Sequence, residues 1–196
     1  MTVIGWDVIT AQMKKALLEC ARSAIEVHWC AGEASDGATG IEGLTQMRAG
    51  VFVSLHVEGK LRGCIGNLEG SKPLPELVAE MASSAAFEDP RFEPLQASEL
   101  PGVQIEISVL STPVPILSMD EIRIGEHGLL VRMGRHQAVL LPQVATRKNW
   151  DAKLFLSHVC QKARLSGEAW RNPDLQMFCF SAEVFSDPQI ESSCPS

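Results

Sequence analysis

VFVSLHVEGKLRGCIGN, residues 51–67, is the stretch that decides the fold. Apolar residues alternate with other residues from 51 to 57, and a second such run covers 61 to 68, after Glu58 and Gly59. Alternation is the period of a half-buried strand, and two runs around a glycine-containing turn predict a β-hairpin. The hydrophobic pattern favours a three-residue turn with Gly59 in the left-handed conformation.

That register gives the hairpin one apolar face and one mixed face. The apolar face carries Val51, Val53, Leu55, Leu61 and Ile65, and the mixed face carries Ser54, His56, Arg62 and Cys64. A two-residue turn on Glu58 and Gly59 stays open as the alternative. It would place Arg62 and Cys64 with Val53 and Leu55 instead.

Outward from the hairpin, helices and strands follow one another without a regular strand-helix-strand order. The patterns predict helices over 11–29 (N-cap Thr10), from Pro73 and Pro75 to the 88–94 loop, and from Asp151 to about Gly167, and strands over 103–110, 128–133, 137–141 and 177–185. This order favours an α+β protein with a mainly antiparallel sheet and flanking helices.

Composition excludes several classes of protein. The 196 residues are 45% hydrophobic and 21% charged, which is typical of a globular chain. With a net charge of −7 and no dense run of Lys and Arg, the chain lacks the footprint of a nucleic-acid-binding protein. No apolar stretch approaches the roughly 18 residues that cross a bilayer, and no secretory signal precedes Lys14 and Lys15. We expect a cytoplasmic protein that contacts no membrane; its oligomeric state stays open.

The six cysteines are scattered rather than densely spaced, so reduced thiols are expected. The sequence contains neither a CxxC pair nor an HExxH motif. His28 and Cys30 form the nearest approach to a metal dyad, but a helix would point side chains two residues apart away from each other. Packing explains both residues more simply, and we predict no metal site. No motif identifies a cofactor.

Arg62 and Cys64 are the candidate catalytic residues. On a strand they share a face, and a guanidinium beside a thiol favours the ionised, nucleophilic form of cysteine. Gly63 and Gly66 weaken a strand and often lie where something approaches the backbone closely. The alternative is structural: free cysteine is among the most buried residue types, and Arg62 then pairs with a surface carboxylate.

Two further regions carry candidate binding residues. The 88–94 loop presents Asp89 and Arg91 around Pro90, either to a cleft or as a turn with a local ion pair. Glu106 interrupts an otherwise apolar strand and points away from its apolar side. It is therefore either solvated or the partner of a buried arginine.

Taken together, these motifs resemble the AMMECR domain family. The matching stretches are VFVSL (51–55), LRGCIG (61–66), DPRF (89–92), IEISVLS (105–111), residues 125–129, LLPQVA (140–145), Trp150-Asp151, Phe155-Leu156, Cys160, Lys162, Ala163 and Trp170. The resemblance covers residues 10–187 in order, and the LRGCIG hexapeptide is its hallmark. Residues 135–138 depart from the family pattern, so His136 receives no family role.

The resemblance implies a single α+β domain with a barrel-like, mainly antiparallel sheet and two subdomains. The larger subdomain would be built from both chain ends and the smaller from a middle segment. Prokaryotic members resemble protein A of the AmmeMemoRadiSam system, which implies a Memo-like protein and a radical S-adenosylmethionine enzyme as partners. The family has no established reaction, so the resemblance points to a patch: Arg62, Gly63, Cys64 and Gly66, with Asp89, Arg91 and Glu106 as neighbours.

Three functional hypotheses stay open at this point. In the first, the protein is an enzyme or part of one, Cys64 is a nucleophile or thiolate carrier, and Arg62 lowers its pKa or binds an anionic substrate. In the second, the 63–67 segment, which ends at Asn67, and the 88–94 loop form a non-catalytic groove for a protein or metabolite. In the third, Cys64 supplies one of several metal ligands.

Overall fold

The structure is a computed structural model, and it describes residues 9–29 and 41–187. Its α-helices are α1 (Ala11–Glu26), α2 (Leu74–Phe87), α3 (Pro142–Lys148) and α4 (Ala152–Lys162). Its strands are β1 (Val51–Val57), β2 (Lys60–Asn67), β3 (Val103–Leu110), β4 (Val114–Ile116), β5 (Gly128–Met133), β6 (His136–Leu140), β7 (Gln176–Phe180) and β8 (Ala182–Ser186). Short 3₁₀ turns lie at Leu44–Gln46, Leu100–Gly102, Met119–Glu121 and Ala169–Arg171.

The described residues divide into two compact units. The first contains the residues up to Val109 and those from Glu183 onward, and the second contains Leu110–Ala182. Each unit has its own four-stranded sheet and its own hydrophobic core. The predicted α+β class with mainly antiparallel pairing is confirmed, and within the described residues the sheets are two open ones rather than a closed barrel.

The sheet of the first unit has the strand order β2-β1-β3-β8. Strand β1 pairs antiparallel with both neighbours, so that Val53 faces Ile107 and Leu55 faces Ile105. These four side chains are fully buried in a core that α1 and α2 complete. Helix α1 starts as predicted, since the Thr10 hydroxyl accepts a hydrogen bond from the Met13 amide at 3.2 Å.

The hairpin turn differs from the predicted one. Glu58 and Gly59 have φ values of 51° and 72°, and Val57 pairs with Lys60, so the turn has two residues with left-handed backbones. The register then shifts by one residue between Leu55 and His56. This β-bulge explains why Ile65 still packs against the core as predicted, whereas Leu61 is 42% exposed and the prediction for it is wrong.

The sheet of the second unit has the order β4-β7-β5-β6, and α4 packs its buried residues Phe155, Leu156 and Val159 into that unit's core. Asp151 caps α4 as predicted, because its carboxylate accepts the Leu154 amide at 2.7 Å. The helix ends earlier than predicted, at Lys162.

The predicted strand over 177–185 is in fact two strands. β7 and β8 belong to different sheets, and the chain changes sheet at Ser181. Ser181 exchanges two hydrogen bonds with Ser111: Ser111 N–H donates to the Ser181 carbonyl, and Ser181 N–H donates to the Ser111 hydroxyl, both at 3.0 Å. These bonds satisfy the backbone where the ladder stops.

None of the helices within residues 9–29 and 41–187 combines the length and the apolar character that crossing a bilayer requires.

Candidate functional site

Cys64 lies opposite Ser54 on the sheet face that α1 and α2 do not cover. The register pairs Ser54 with Cys64 on one side and with Glu106 on the other, so the three residues form a row across β2, β1 and β3. Opposed residues of antiparallel strands share a face. The predicted three-residue turn was wrong, but the bulge shifts the register by one residue, and Cys64 therefore still lies on the predicted face with Ser54.

Cys64 is half-buried, and the Ser54 hydroxyl donates a hydrogen bond to its sulfur at 3.3 Å. Ser54 itself is 9% exposed, so this donor is well fixed. His56 lies two residues further along β1 and therefore on the same face. The face thus combines a thiol, a hydroxyl, an imidazole and the Glu106 carboxylate, which are groups able to carry nucleophilic and proton-transfer chemistry.

Asp89 and Arg91 hold the main chain of Cys64. Strand β2 is an edge strand, and both main-chain groups of Cys64 point away from β1. The Cys64 amide donates to Asp89 Oδ2 at 2.9 Å, and Arg91 Nη2 donates to the Cys64 carbonyl at 3.0 Å. The two side chains thus make the hydrogen bonds that a neighbouring strand would make at this edge, and so they fix the position of the Cys64 main chain.

The Asp89 carboxylate is the buried centre of this arrangement. Its side chain is 2% exposed, and it accepts hydrogen bonds from the main-chain amide, Nε and Nη2 of Arg91 as well as from Cys64. The Arg91 guanidinium holds the pKa of Asp89 well below its usual range, and the Cys64 and Arg91 amides add to this effect against the cost of burial. The predicted local ion pair is therefore present, but its carboxylate is buried, and both of its side chains are hydrogen-bonded to the main chain of Cys64.

Arg62 pairs with the carboxylate of Glu99 rather than with the Cys64 thiol, which agrees with the structural alternative that the sequence left open. Its Nε and Nη2 bind Glu99 in a bidentate pair at 2.8 and 3.0 Å, and Nη1 and Nη2 also donate to the Glu93 and Pro94 carbonyls. The bulge is the physical reason, since it makes Arg62 the extra residue between the pairs that Leu55 and His56 form. The pKa of Arg62 is raised, chiefly by Glu99.

Gly63 and Gly66 have close neighbours within the protein itself. A Cβ on Gly63 would lie 2.0 Å from the Ala85 carbonyl oxygen of α2, and one on Gly66 would lie 2.2 Å from the Phe52 ring. The close approach that the glycines predicted is thus made by a helix and a ring. Asn67 accepts the Glu69 amide at 2.8 Å and so shapes the turn that follows β2. A binding role for these three residues stays a prediction.

Glu106 is half-exposed, and it forms no pair with an arginine in the part of the chain that the structure describes. The prediction that left it solvated or paired is thus resolved toward the solvated alternative. Its place opposite Ser54 was not visible in the sequence, because cross-strand register depends on the turn and on the bulge.

The remaining cysteines differ from Cys64 in their surroundings. Cys20, Cys64, Cys160 and Cys179 are free thiols, as predicted for these four, and Cys30 and Cys194 lie outside the described residues. Burial raises the pKa of both Cys160 and Cys179. In the described ranges, no three His, Cys, Asp or Glu side chains are grouped so that they could hold a metal ion, and His28 stacks on Phe87 at 4.0 Å.

Sequence reasoning missed two residues of the site. Ser54 was placed on the mixed face without a role, and Glu99, which is 37 residues from its partner Arg62, was not singled out. The alternation in β1 and β3 already placed Ser54 away from the core, which is the one signal that pointed to it. No local pattern marks Glu99.

The α+β fold and the LRGCIG hexapeptide on the edge strand β2 together define a class of protein. A family model matches the chain as well. The model described as AMMECR1 matches residues 18–185. The chain belongs to the AMMECR1 family.

Relatives and a solved structure agree with this assignment. The chain is 38% identical over 179 residues to a protein of Methanothermobacter thermautotrophicus, covering 88% of this chain and 93% of the relative. It is 39% identical over 192 residues to protein MK0488 of Methanopyrus kandleri, covering 93% and 92%. The crystal structure of the uncharacterized protein PH0010 from Pyrococcus horikoshii is similar, with a TM-score of 0.82, 33% identity and coverage of 88% and 90%.

Proposed function

We propose that this protein acts through the thiol of Cys64, as a nucleophile or thiolate carrier, in a system that resembles AmmeMemoRadiSam. The observation that carries the proposal is the contrast between the main chain and the side chain of Cys64. Asp89 and Arg91 fix the main chain, whereas the side chain is not sealed in the core: Cys64 is half-buried, and its sulfur accepts from the Ser54 hydroxyl. A nucleophile needs a fixed position and a side chain outside the core.

Partners and place of action rest on the family resemblance. In this proposal the whole chain acts as one cytoplasmic AMMECR-like domain with a Memo-like protein and a radical S-adenosylmethionine enzyme. Such a role is consistent with a half-buried Cys64 on the sheet face opposite the helices α1 and α2, where a second protein would present a substrate. Co-purification of the tagged chain with both proteins, co-expressed from the source genome, tests this part of the proposal. If neither protein co-purifies with the wild-type chain, this part is refuted.

Replacement of the sulfur tests the chemistry. In a strain that lacks the chromosomal gene and grows slowly for that reason, a Cys64→Ser copy should fail to restore growth, because serine keeps the size but not the nucleophile. Cys179→Ser is the matched control, since Cys179 is also half-buried and lies in the other unit. Full restoration by Cys64→Ser at normal protein levels would overturn the proposal.

A second candidate is a non-catalytic binding module. It is favoured by one observation: the Arg91 guanidinium is exposed at the edge strand beside Cys64, whereas Arg62 is engaged within the protein. This module would tolerate both Cys64→Ser and Cys64→Ala, whereas Arg91→Gln would abolish co-purification with the partners. The two candidates therefore predict opposite outcomes for the same serine variant.

A further inference from the structure

The two arginines near Cys64 differ in the donors that they have left. All three guanidinium nitrogens of Arg62 donate to Glu99 or to main-chain carbonyls. The guanidinium of Arg91 donates through Nε and Nη2 only: both nitrogens donate to Asp89, and Nη2 also donates to the Cys64 carbonyl. Nη1 of Arg91, with its two N–H groups, therefore has no hydrogen-bond partner among the described residues.

The Asp89–Arg91 pair has its positive end outward. The Asp89 side chain is 2% exposed and the Arg91 side chain is 56% exposed, so solvent meets the guanidinium while the carboxylate is covered. The Arg62–Glu99 pair lacks this polarity, because its side chains are 18% and 27% exposed. An outward guanidinium with a free edge is the group that proteins use to bind carboxylates and phosphates.

Arg91 also lies beside the residue that carries the thiol. The hydrogen bonds with Asp89 raise the pKa of Arg91 most, and Cys64 makes a smaller contribution in the same direction. The 3.0 Å bond from Nη2 to the Cys64 carbonyl places the guanidinium, and with it Nη1, beside the residue that carries the sulfur.

We infer that Nη1 of Arg91 binds an anionic group of the substrate, a carboxylate or a phosphate, and so presents the substrate to the Cys64 sulfur. The inference rests on the proposed thiol function and adds the class of substrate. It also moves the anion-binding role, which the sequence suggested for Arg62, to Arg91.

Two alkylating reagents that differ in charge test the inference. Iodoacetate carries a carboxylate and iodoacetamide is neutral; both form a C–S bond with the thiolate and release iodide. Their rate ratio at Cys64, followed by peptide mapping, does not depend on how much of the thiol is ionised, because both reagents consume the same thiolate. In Arg91→Gln the iodoacetate to iodoacetamide ratio should fall roughly fivefold, which corresponds to one exposed charge–charge contact.

Arg135→Gln is the matched control, since it removes the same charge from an exposed turn of the other unit. Its ratio should stay at the wild-type value. If Arg91→Gln slows both reagents equally, Arg91 only positions Cys64, and the inference is wrong.

A measurement on the wild-type protein covers the case in which Arg91→Gln does not fold. Inorganic phosphate should slow iodoacetate at Cys64 more than iodoacetamide, relative to sodium chloride at the same ionic strength. Equal slowing of both reagents would overturn the inference. The proposed function fails separately, if Cys64 reacts no faster than the other described thiols whatever the ratio.

Discussion

The two faces of the first sheet consist of the same strands but differ in burial and in chemistry. On the covered face, Val53, Leu55 and Ile107 are fully buried against the helices. On the other face, Cys64 and Glu106 are half-buried around Ser54. The difference teaches that the side chains that stabilise the sheet and the thiol of the proposed function lie on opposite faces, so substitutions should separate effects on stability from effects on function.

The largest difference in stability is expected between substitutions of Leu55 and His56, because these adjacent residues of β1 point to opposite faces of the sheet. Leu55→Ala leaves a cavity in a fully buried site and should lower the free energy of unfolding by about 3–4 kcal/mol. His56→Ala, one residue further, should cost less than about 0.5 kcal/mol. Urea unfolding followed by circular dichroism measures both, and similar losses for the two variants would contradict the assignment of faces.

Gly63→Ala should be nearly as damaging. The new Cβ would meet the Ala85 carbonyl oxygen at 2.0 Å, and backbone cannot move aside cheaply, so we expect a loss of about 3 kcal/mol. Gly102→Ala is the control, because a Cβ there has nothing within 4 Å. If both alanine variants unfold at the wild-type urea concentration, α2 does not pack on β2 as described.

Asp89→Asn should have an intermediate effect that depends on pH. The variant loses charge-assisted bonds to Arg91 at a buried site, for which we expect about 2 kcal/mol at pH 7. Because the folded state lowers the pKa of Asp89, its contribution is complete above the ordinary value near pH 4 and is lost as the pH falls below it.

Unfolding curves from pH 7 to pH 2 test this dependence. The wild-type protein should lose more stability over that interval than Asp89→Asn does, so the two curves should converge in acid. Asp174→Asn, at an exposed position, should follow the wild-type curve. A constant difference between wild type and Asp89→Asn would mean that the carboxylate charge contributes nothing.

Cys64→Ser should have a smaller effect on stability than Asp89→Asn, at less than about 1 kcal/mol, because the side chain is half-buried and a hydroxyl can accept from Ser54. Cys160→Ser should cost more, since Cys160 is fully buried and its hydroxyl replacement loses solvation. Melting temperatures of the two variants would rank them, and the reverse order would contradict the described exposure.

Local patterns in the sequence were enough to predict most of the first unit. Alternation defined β1 and β3, and a capping residue and apolar spacing defined α1, since these features act within a few residues. The hairpin turn was mispredicted because the pattern was fitted with one continuous register, whereas the chain combines a tighter turn with a bulge at Arg62.

The site itself depends on long-range contacts that no local pattern contains. The sequence singled out Cys64 as a candidate, but the hydrogen bond of its amide to Asp89, 25 residues away, comes from tertiary packing. The exchange of sheets at Ser181 was equally invisible, because residues 177–185 are mostly apolar, and Ser181 alone does not mark the end of one strand and the start of another. Which side chain a residue binds depends on the folded surroundings, and the types of the residues alone do not determine it.

The most direct test of the central claim is competition among the thiols of the folded wild-type protein. With limiting iodoacetamide at pH 7, quantitative peptide mapping should show Cys64 alkylated at least about tenfold faster than Cys160, which is fully buried. Cys64 should also be alkylated faster than Cys179, because burial raises the pKa of the Cys179 thiol. Equal rates at Cys64 and Cys179, or slower alkylation of Cys64, would contradict the account.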